Sequence, residues 1–349
     1  MKKILAIACY SASCAAVAQS SVTVLGVVDA FGGRLRNAGD PAGIKVVNGG
    51  GLSTSWFGFL ASEDLGDGLR ATVKLTSFFR ADTGMSGRFD GDPFFQRDAN
   101  VALSGGFGAV TLGRSQAPNM GPSILSNPFA ESFMFSPLIL HSNVNTASWT
   151  RRTTPADTGW NNQVVYTTPT FGGFRTSLHY QFGEQASGSA GDGRNNIGVD
   201  AYFTRGPLTL TGYYERDQIS NPVNSAAITT PIGGVNVPTT KKVWMVGGSY
   251  DFGPVKAYGS YGRSKWDVLN YESKTASAGA SVPVGLGFIL ADVARTSVEG
   301  PASASRTTSS FAYDYFLSKR TDIYAIAMRD AVTALTSGTS FGLGLRHRF

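Results

Sequence analysis

Few residues of this chain have the type and spacing to do covalent chemistry. The three histidines, His141, His179 and His347, are far apart, no H-E-x-x-H arrangement occurs, and no serine nucleophile is expected. Asp90-Gly91-Asp92 offers two carboxylates but lacks the remaining ligands of a calcium loop, so it reads as a turn. No cofactor, metal or enzymatic activity is expected. What the charged residues do offer is electrostatics along strands. In Leu69-Arg70-Ala71-Thr72-Val73-Lys74-Leu75-Thr76 the odd positions are apolar, while the even ones are Arg, Thr, Lys and Thr. An amine at Lys74, fixed mid-strand on the polar face of such an alternation, would attract anions if that face met water; the plainer reading is a solvated lysine with no task.

The elements that must hold such a residue follow from the same period-two pattern, because successive side chains of a strand point to opposite faces. The pattern recurs over Phe174–Phe182, Ile197–Phe203 and Phe341–Phe349. Seven tight turns are readable, at 64–68, 105–108, 169–173, 205–207, 251–254, 283–285 and 318–321. Eight longer, polar or Gly/Ser/Asn-rich segments alternate with them, at 37–51, 82–93, 115–159, 183–194, 217–240, 267–270, 298–305 and 330–338. Fifteen connections join sixteen strands. Strict alternation of short turns with long loops predicts an antiparallel barrel with both termini on the short-turn side. A sandwich would not need that alternation, and a propeller would show an internal repeat, which is absent.

Composition agrees. Only 15% of residues are charged, against about 25% in ordinary globular domains, while there are 43 glycines and 11% aromatics. Mean hydropathy is −0.05. After the N-terminus no stretch approaches the roughly 18 consecutive apolar residues of a membrane helix; a closed barrel is the remaining way to satisfy every backbone polar group in hydrocarbon. Residues 1–18 read as a secretory signal peptide: Lys2 and Lys3 precede the apolar Ile4–Ala8, and Ala16-Val17-Ala18 ends in small residues, placing the cut before Gln19. A lipoprotein signal at Cys14 is the rival reading, against which stands Ser11 where an aliphatic residue would be expected. Both cysteines, Cys9 and Cys14, lie in this segment, so residues 19–349 hold no disulfide. Without Lys2 and Lys3 the net charge falls from +6 to +4, with 28 basic against 24 acidic residues. The basic residues are spread along the chain rather than gathered as a nucleic-acid-binding face requires, so no nucleic-acid partner is expected.

The chain also ends on a strand, with Phe341, Leu343, Leu345, His347 and Phe349 on one face, which is safe only if it pairs with the first strand. These features resemble the general (trimeric) porins of Gram-negative bacteria, the neisserial and β-proteobacterial branch in particular. The residues that carry the resemblance are Ser21–Asp29, Glu63–Ala71, Leu103–Gly108 followed by Leu112-Gly113-Arg114, and Gly344–Phe349.

The resemblance implies a 16-stranded outer-membrane β-barrel, three barrels per assembly, and a third extracellular loop folded into the lumen, here 115–159. The implied partners are outer-membrane lipid, two further copies, small hydrophilic solutes and inorganic ions. In the family, wall arginines oppose acids on the inner loop. Arg97 matches a wall arginine of the fourth strand, but Trp56 and Gly159 or Trp160 stand where arginines are usual, and Thr76 where a glutamate is usual. Glu131, Arg151 and Arg152, in the third-loop position, are candidates to replace those charges. Trp56 is a candidate sugar-stacking surface. Simple alternation turns Arg97 toward lipid, so a bulge or a subunit contact is expected to redirect it. The run Pro128–Leu140 is apolar enough to pack on the wall or at a subunit interface. Phe78, Phe79, Phe94, Phe95, Tyr213, Tyr214, Tyr313 and Tyr315 suit interfacial girdles.

Overall fold

A computed structural model describes residues 20–142, 158–189, 193–219, 228–232, 235–267, 270–300 and 303–349, with backbone alone at 142, 228–232 and 235–239. The signal-peptide reading and the candidates Arg151 and Arg152 lie outside the described residues.

Period-two segments become strands where they were expected. In chain order these are β1 (Ser21–Leu35), β2 (Ile44–Gly49), β3 (Trp56–Gly66), β4 (Leu69–Phe78), β5 (Asp98–Gly105), β6 (Gly108–Gln116), β7 (Gly159–Thr167), β8 (Phe174–Phe182), β9 (Asn195–Arg205) and β10 (Leu208–Asp217). There follow β11 (Ile228–Ile232), β12 (Val235–Thr239), β13 (Lys241–Asp251), β14 (Lys256–Trp266), β15 (Tyr271–Val284), β16 (Gly287–Glu299), β17 (Ala304–Phe316), β18 (Thr321–Val332) and β19 (Gly338–Arg348). Two short helices, α1 (Met120–Leu125) and α2 (Pro137–Ser142), lie between β6 and β7.

Three of these strands belong to loops. β2 pairs only with the far end of β1, and β11 and β12 form their own two-stranded sheet. The other sixteen pair antiparallel, each with the next, and the sheet closes because β19 pairs with β1 from Val27↔Arg348 to Arg34↔Phe341. The terminal residue extends this ladder, with Gly26 and Phe349 exchanging both backbone hydrogen bonds at 3.1 Å. A closed sheet has no edge to protect, which is why a strand can run to the last residue.

Among the described residues, the strand ends fall where the sequence placed the seven short turns and the eight long loops. The β3–β4 turn shows the local reason: Gly66, Asp67 and Gly68 all have φ between 50° and 85°, a left-handed run that glycine adopts without strain. Alternation also sets the two faces. Val73, Val101, Leu112, Leu178, Val246, Phe311 and Leu343 are exposed on the outer skin, and their strand neighbours are buried or polar. Among the described residues no helix is long and apolar enough to cross a membrane.

The interior is not uniformly wet. A cluster of Phe31, Leu35, Leu52, Phe129, Phe135, Leu140, Leu290, Ala312, Tyr324, Ile326 and Met328 joins the third loop to the inner faces of β1 and β16–β18. The apolar run Pro128–Leu140 therefore packs on the wall. Phe135 meets Phe31 edge-on at 5.3 Å between ring centroids. Two of the expected girdle aromatics also face inward: Phe78 packs with Val27 and Trp56, and Tyr213 with Leu138, Val243 and Met245. Both lie on the polar parity of their strands, which aromatic type alone does not reveal.

Candidate functional site

The third loop is tied to inward-facing residues on two separate stretches of wall, β10 and β16–β17. On one side the Asn119 N–H donates to Glu215 Oε1 at 2.8 Å, and the hydroxyls of Ser126 and Thr211 lie 2.9 Å apart. On the other, the Ser310 hydroxyl donates to the Phe135 carbonyl at 2.6 Å and Arg306 Nη1 to that of Leu140 at 3.2 Å. His141 is wholly buried between Thr296 and Thr308, its two ring nitrogens 2.9 and 2.8 Å from their hydroxyls. Burial, with the Arg306 charge adding to it, pushes the imidazole down to about 3, so this anchor is neutral at ordinary pH. In the middle, the Ser132 hydroxyl donates to the Gly51 carbonyl of the first loop at 2.6 Å. The described part of the loop thus lies across the inside of the barrel.

Four of the six candidate residues come together where this loop meets β3–β5. The Lys74 amine is 2.9 Å from Asp98, whose carboxylate also accepts from the Thr76 hydroxyl at 2.6 Å and from Arg97 at 3.2 Å. The other face of Arg97 reaches Glu131, 3.9 Å away on the loop. Lys74 points inward, as its polar parity requires, because Val73 and Leu75 hold the outer parity.

Arg97 points inward for a reason other than the bulge or subunit contact expected of it. Strand β5 begins only at Asp98, so Arg97 belongs to the preceding loop and escapes the alternation. Its guanidinium stacks 4.0 Å from the Trp56 ring and lies 5.7 Å from that of Phe78. Trp56, 9% exposed, accordingly spends a ring face on Arg97.

Two arginines at this locus are not singled out by the sequence. Arg346, on the inner face of β19, donates to Asp322 at 3.0 Å, to Asp314 at 2.9 Å and to the Ser53 hydroxyl at 3.0 Å, and its charge is felt by Glu131. Its neighbour Arg348 pairs with Asp322 at 2.6 Å. The signal was present: 346 and 348 are the polar-parity positions of a strand read only for its apolar face.

Cations and acids are numerically balanced here, but water reaches them unequally. The side chains of Lys74 and Arg348 are 35% and 36% exposed, against 3% for Asp98 and 0% for Asp322. Burial raises the Glu131 carboxyl above the usual range despite Arg97 and Arg346 nearby. At the Lys74–Asp98 and Arg348–Asp322 pairs a solute in the lumen meets the cation first, whereas at Arg97–Glu131 the two side chains are 11% and 16% exposed.

The groups that suggested chemistry are otherwise engaged. Asp90 pairs with Arg80 and Asp92 with Arg88, each at 2.9 Å. A G-x-S-x-G spacing does occur, at Gly338–Gly342, but inside the regular ladder of β19 rather than at a strand-to-helix elbow. The Ser340 hydroxyl there is buried, accepting from the Arg36 N–H at 2.9 Å and donating to the Arg36 carbonyl at 3.1 Å.

A closed barrel with an apolar skin, a charged interior and a loop across its lumen defines a membrane β-barrel of the channel-forming kind. The model of the Gram-negative porins matches residues 5–334, and the chain belongs to that family. It is 31% identical over 375 aligned positions to outer membrane porin protein 32 of Delftia acidovorans, covering 100% of this chain and 99% of that one. A porin of Bordetella pertussis is 28% identical, with both chains fully covered. Among solved structures, the anion-selective porin from Comamonas acidovorans matches with a TM-score of 0.77 at 26% identity, covering 95% of this chain and 100% of that one. The trimer form of OmpT from Vibrio cholerae shares the fold, with a TM-score of 0.68 at 16% identity over 95% of this chain and 99% of that one. The chain is an integral porin of the bacterial outer membrane, a channel rather than an enzyme by family and fold.

Proposed function

We propose that this porin passes small hydrophilic solutes by diffusion with a preference for anions, and that the preference is set where the third loop faces Lys74, Arg97, Arg346 and Arg348. The carrying observation is the unequal exposure of the charges: Lys74 and Arg348 meet the lumen, and the acids that pair with them are buried. Weak attraction at several such sites biases entry, whereas tight binding would stop the flow. The anion selectivity named for the Comamonas relative supports the same reading. Residues 1–18 act as a secretory signal and 115–159 as the constriction loop, with Glu131 the acid that faces Arg97. Three copies assemble, as the trimeric Vibrio neighbour does.

Proteoliposome swelling tests this with small anionic, neutral and cationic solutes of matched size. The reading predicts rates in that order, with the anion ahead of the cation. Equal rates for all three, or a faster cation, would contradict it.

A further inference from the structure

Toward the long loops, one stretch of the outer skin gathers basic residues. Outward positions toward the long loops on β13–β16 and β18 include Lys242, Arg263, Lys265, Lys274, Arg295 and Arg329, on the same parity as the exposed Trp244, Val246, Tyr261 and Val293, with Glu272 and Glu299 nearer still to the loops on β15 and β16. Strand pairing fixes their relative height. Lys242 pairs directly with Lys265; the row of Val246 runs through Tyr261 and Ala276 to Arg295; the row of Gly248 runs through Gly259, Ala278, Val293 and Ser309 to Arg329.

The basic positions thus slip toward the short-turn end as strand number rises. The turns slip in the same sense: the β13–β14 hairpin closes at Asp251↔Lys256, whose row reaches Ser281, while the next closes further along, at Val284↔Gly287. In a barrel of tilted strands such a slip is what a ring of constant height produces. The six cations therefore form a level belt.

Acids occupy part of the belt. Glu272 pairs with Arg263 and, at 3.5 Å, with Lys274; Glu299 lies 3.3 Å from Lys274, and Asp267 2.9 Å from Lys242. Lys265, Arg295 and Arg329 meet no carboxylate among the described residues, and Arg295 donates only to the Thr307 hydroxyl. Just below lie the rings of Trp244 and Tyr261, 5.8 Å apart, and then Val293 and Phe311. Aromatics of this kind mark the hydrocarbon boundary, so the belt stands at the height of lipid headgroups.

We propose that this belt seats the phosphate groups of an anionic lipid in the outer leaflet, with Lys265, Arg295 and Arg329 supplying the free charge. Amine and guanidinium donors match phosphate oxygens, and the apolar skin below accepts the acyl chains. The test uses the full-length purified porin in phosphatidylcholine vesicles carrying spin-labelled phosphatidic acid or spin-labelled phosphatidylcholine, with the motionally restricted fraction of each giving a relative association constant. The expected result is selectivity for phosphatidic acid that falls roughly fivefold or more in the Lys265→Gln/Arg295→Gln/Arg329→Gln variant. A variant neutralised at a short turn, Arg205→Gln, should keep it, as should wild type in the presence of inorganic phosphate. Heat-dependent gel mobility and unchanged conductance confirm that the triple variant is a folded channel. Undiminished selectivity in that variant would overturn the proposal, and complete displacement by inorganic phosphate would replace the lipid with a soluble anion.

Discussion

Replacing Lys74 with glutamine removes one positive charge from the lumen without leaving its partner bare, because Asp98 keeps Arg97 at 3.2 Å and the Thr76 hydroxyl at 2.6 Å. A monovalent ion passing about 6 Å from the amine in a water-like dielectric interacts with it by about 0.7 kcal/mol. At about 0.1 M salt, a Debye length of about 10 Å cuts this to roughly 0.4 kcal/mol. The anion loses that attraction and the cation an equal repulsion, so the difference of about 0.8 kcal/mol lowers the anion/cation permeability ratio about fourfold. At about 1 M, with a Debye length near 3 Å, the same substitution should change the ratio only about 1.4-fold. Reversal potentials of Lys74→Gln, Lys74→Arg and wild type under matched salt gradients read this directly. Lys74→Arg should track wild type. An unchanged reversal potential at low salt, or an effect of the same size at both salt concentrations, would refute the placement of Lys74 beside the ion path.

Further outcomes follow from the loop. Because burial raises the Glu131 carboxyl, its negative charge is lost at a higher pH than for an ordinary carboxylate; anion preference should therefore grow as pH falls through that range, and Glu131→Gln should remove this pH dependence and hold the low-pH value. His141→Ala deletes two buried hydrogen bonds, to Thr296 and Thr308, and should loosen the loop by about 1–3 kcal/mol, seen as noisier single channels with unchanged heat stability of the barrel. Since the His141 imidazole is pushed down to about 3, wild-type channel noise should not change between pH 5 and 8. Phe135→Ala opens a cavity in the inner apolar cluster at a cost of about 3–5 kcal/mol and should raise mean conductance as the loop shifts from the wall.

The wall of this barrel was far more legible than its lumen. A sheet closed on itself repeats one local rule, alternation broken by turns, and each of Asp64–Gly68 or Ser318–Thr321 announces itself independently of the rest. Lys74 stands on the inward parity that this rule gives it. Arg97 does not follow it, because its orientation depends on whether β5 starts one residue earlier or later, and no local signal marks that boundary. Phe78 and Tyr213 were misplaced because the interior beside the third loop is apolar, so inward positions there do not read as polar. The third loop's apolar run was visible, but its partners Phe31, Leu290 and Ile326 lie 100 to 200 residues away in sequence and are found only by folding. Arg346 was passed over because its strand was read as a terminal apolar ribbon and not as a wall with two faces.

Single-channel recording of the purified porin in planar bilayers under a salt gradient tests the diffusion function most directly. The expected record is openings that come in groups of three and a reversal potential of anion sign that diminishes in Lys74→Gln. A folded barrel that never conducts would contradict the diffusion function, and a cation-signed reversal potential would contradict the assignment of Lys74, Arg97, Arg346 and Arg348 to the ion path.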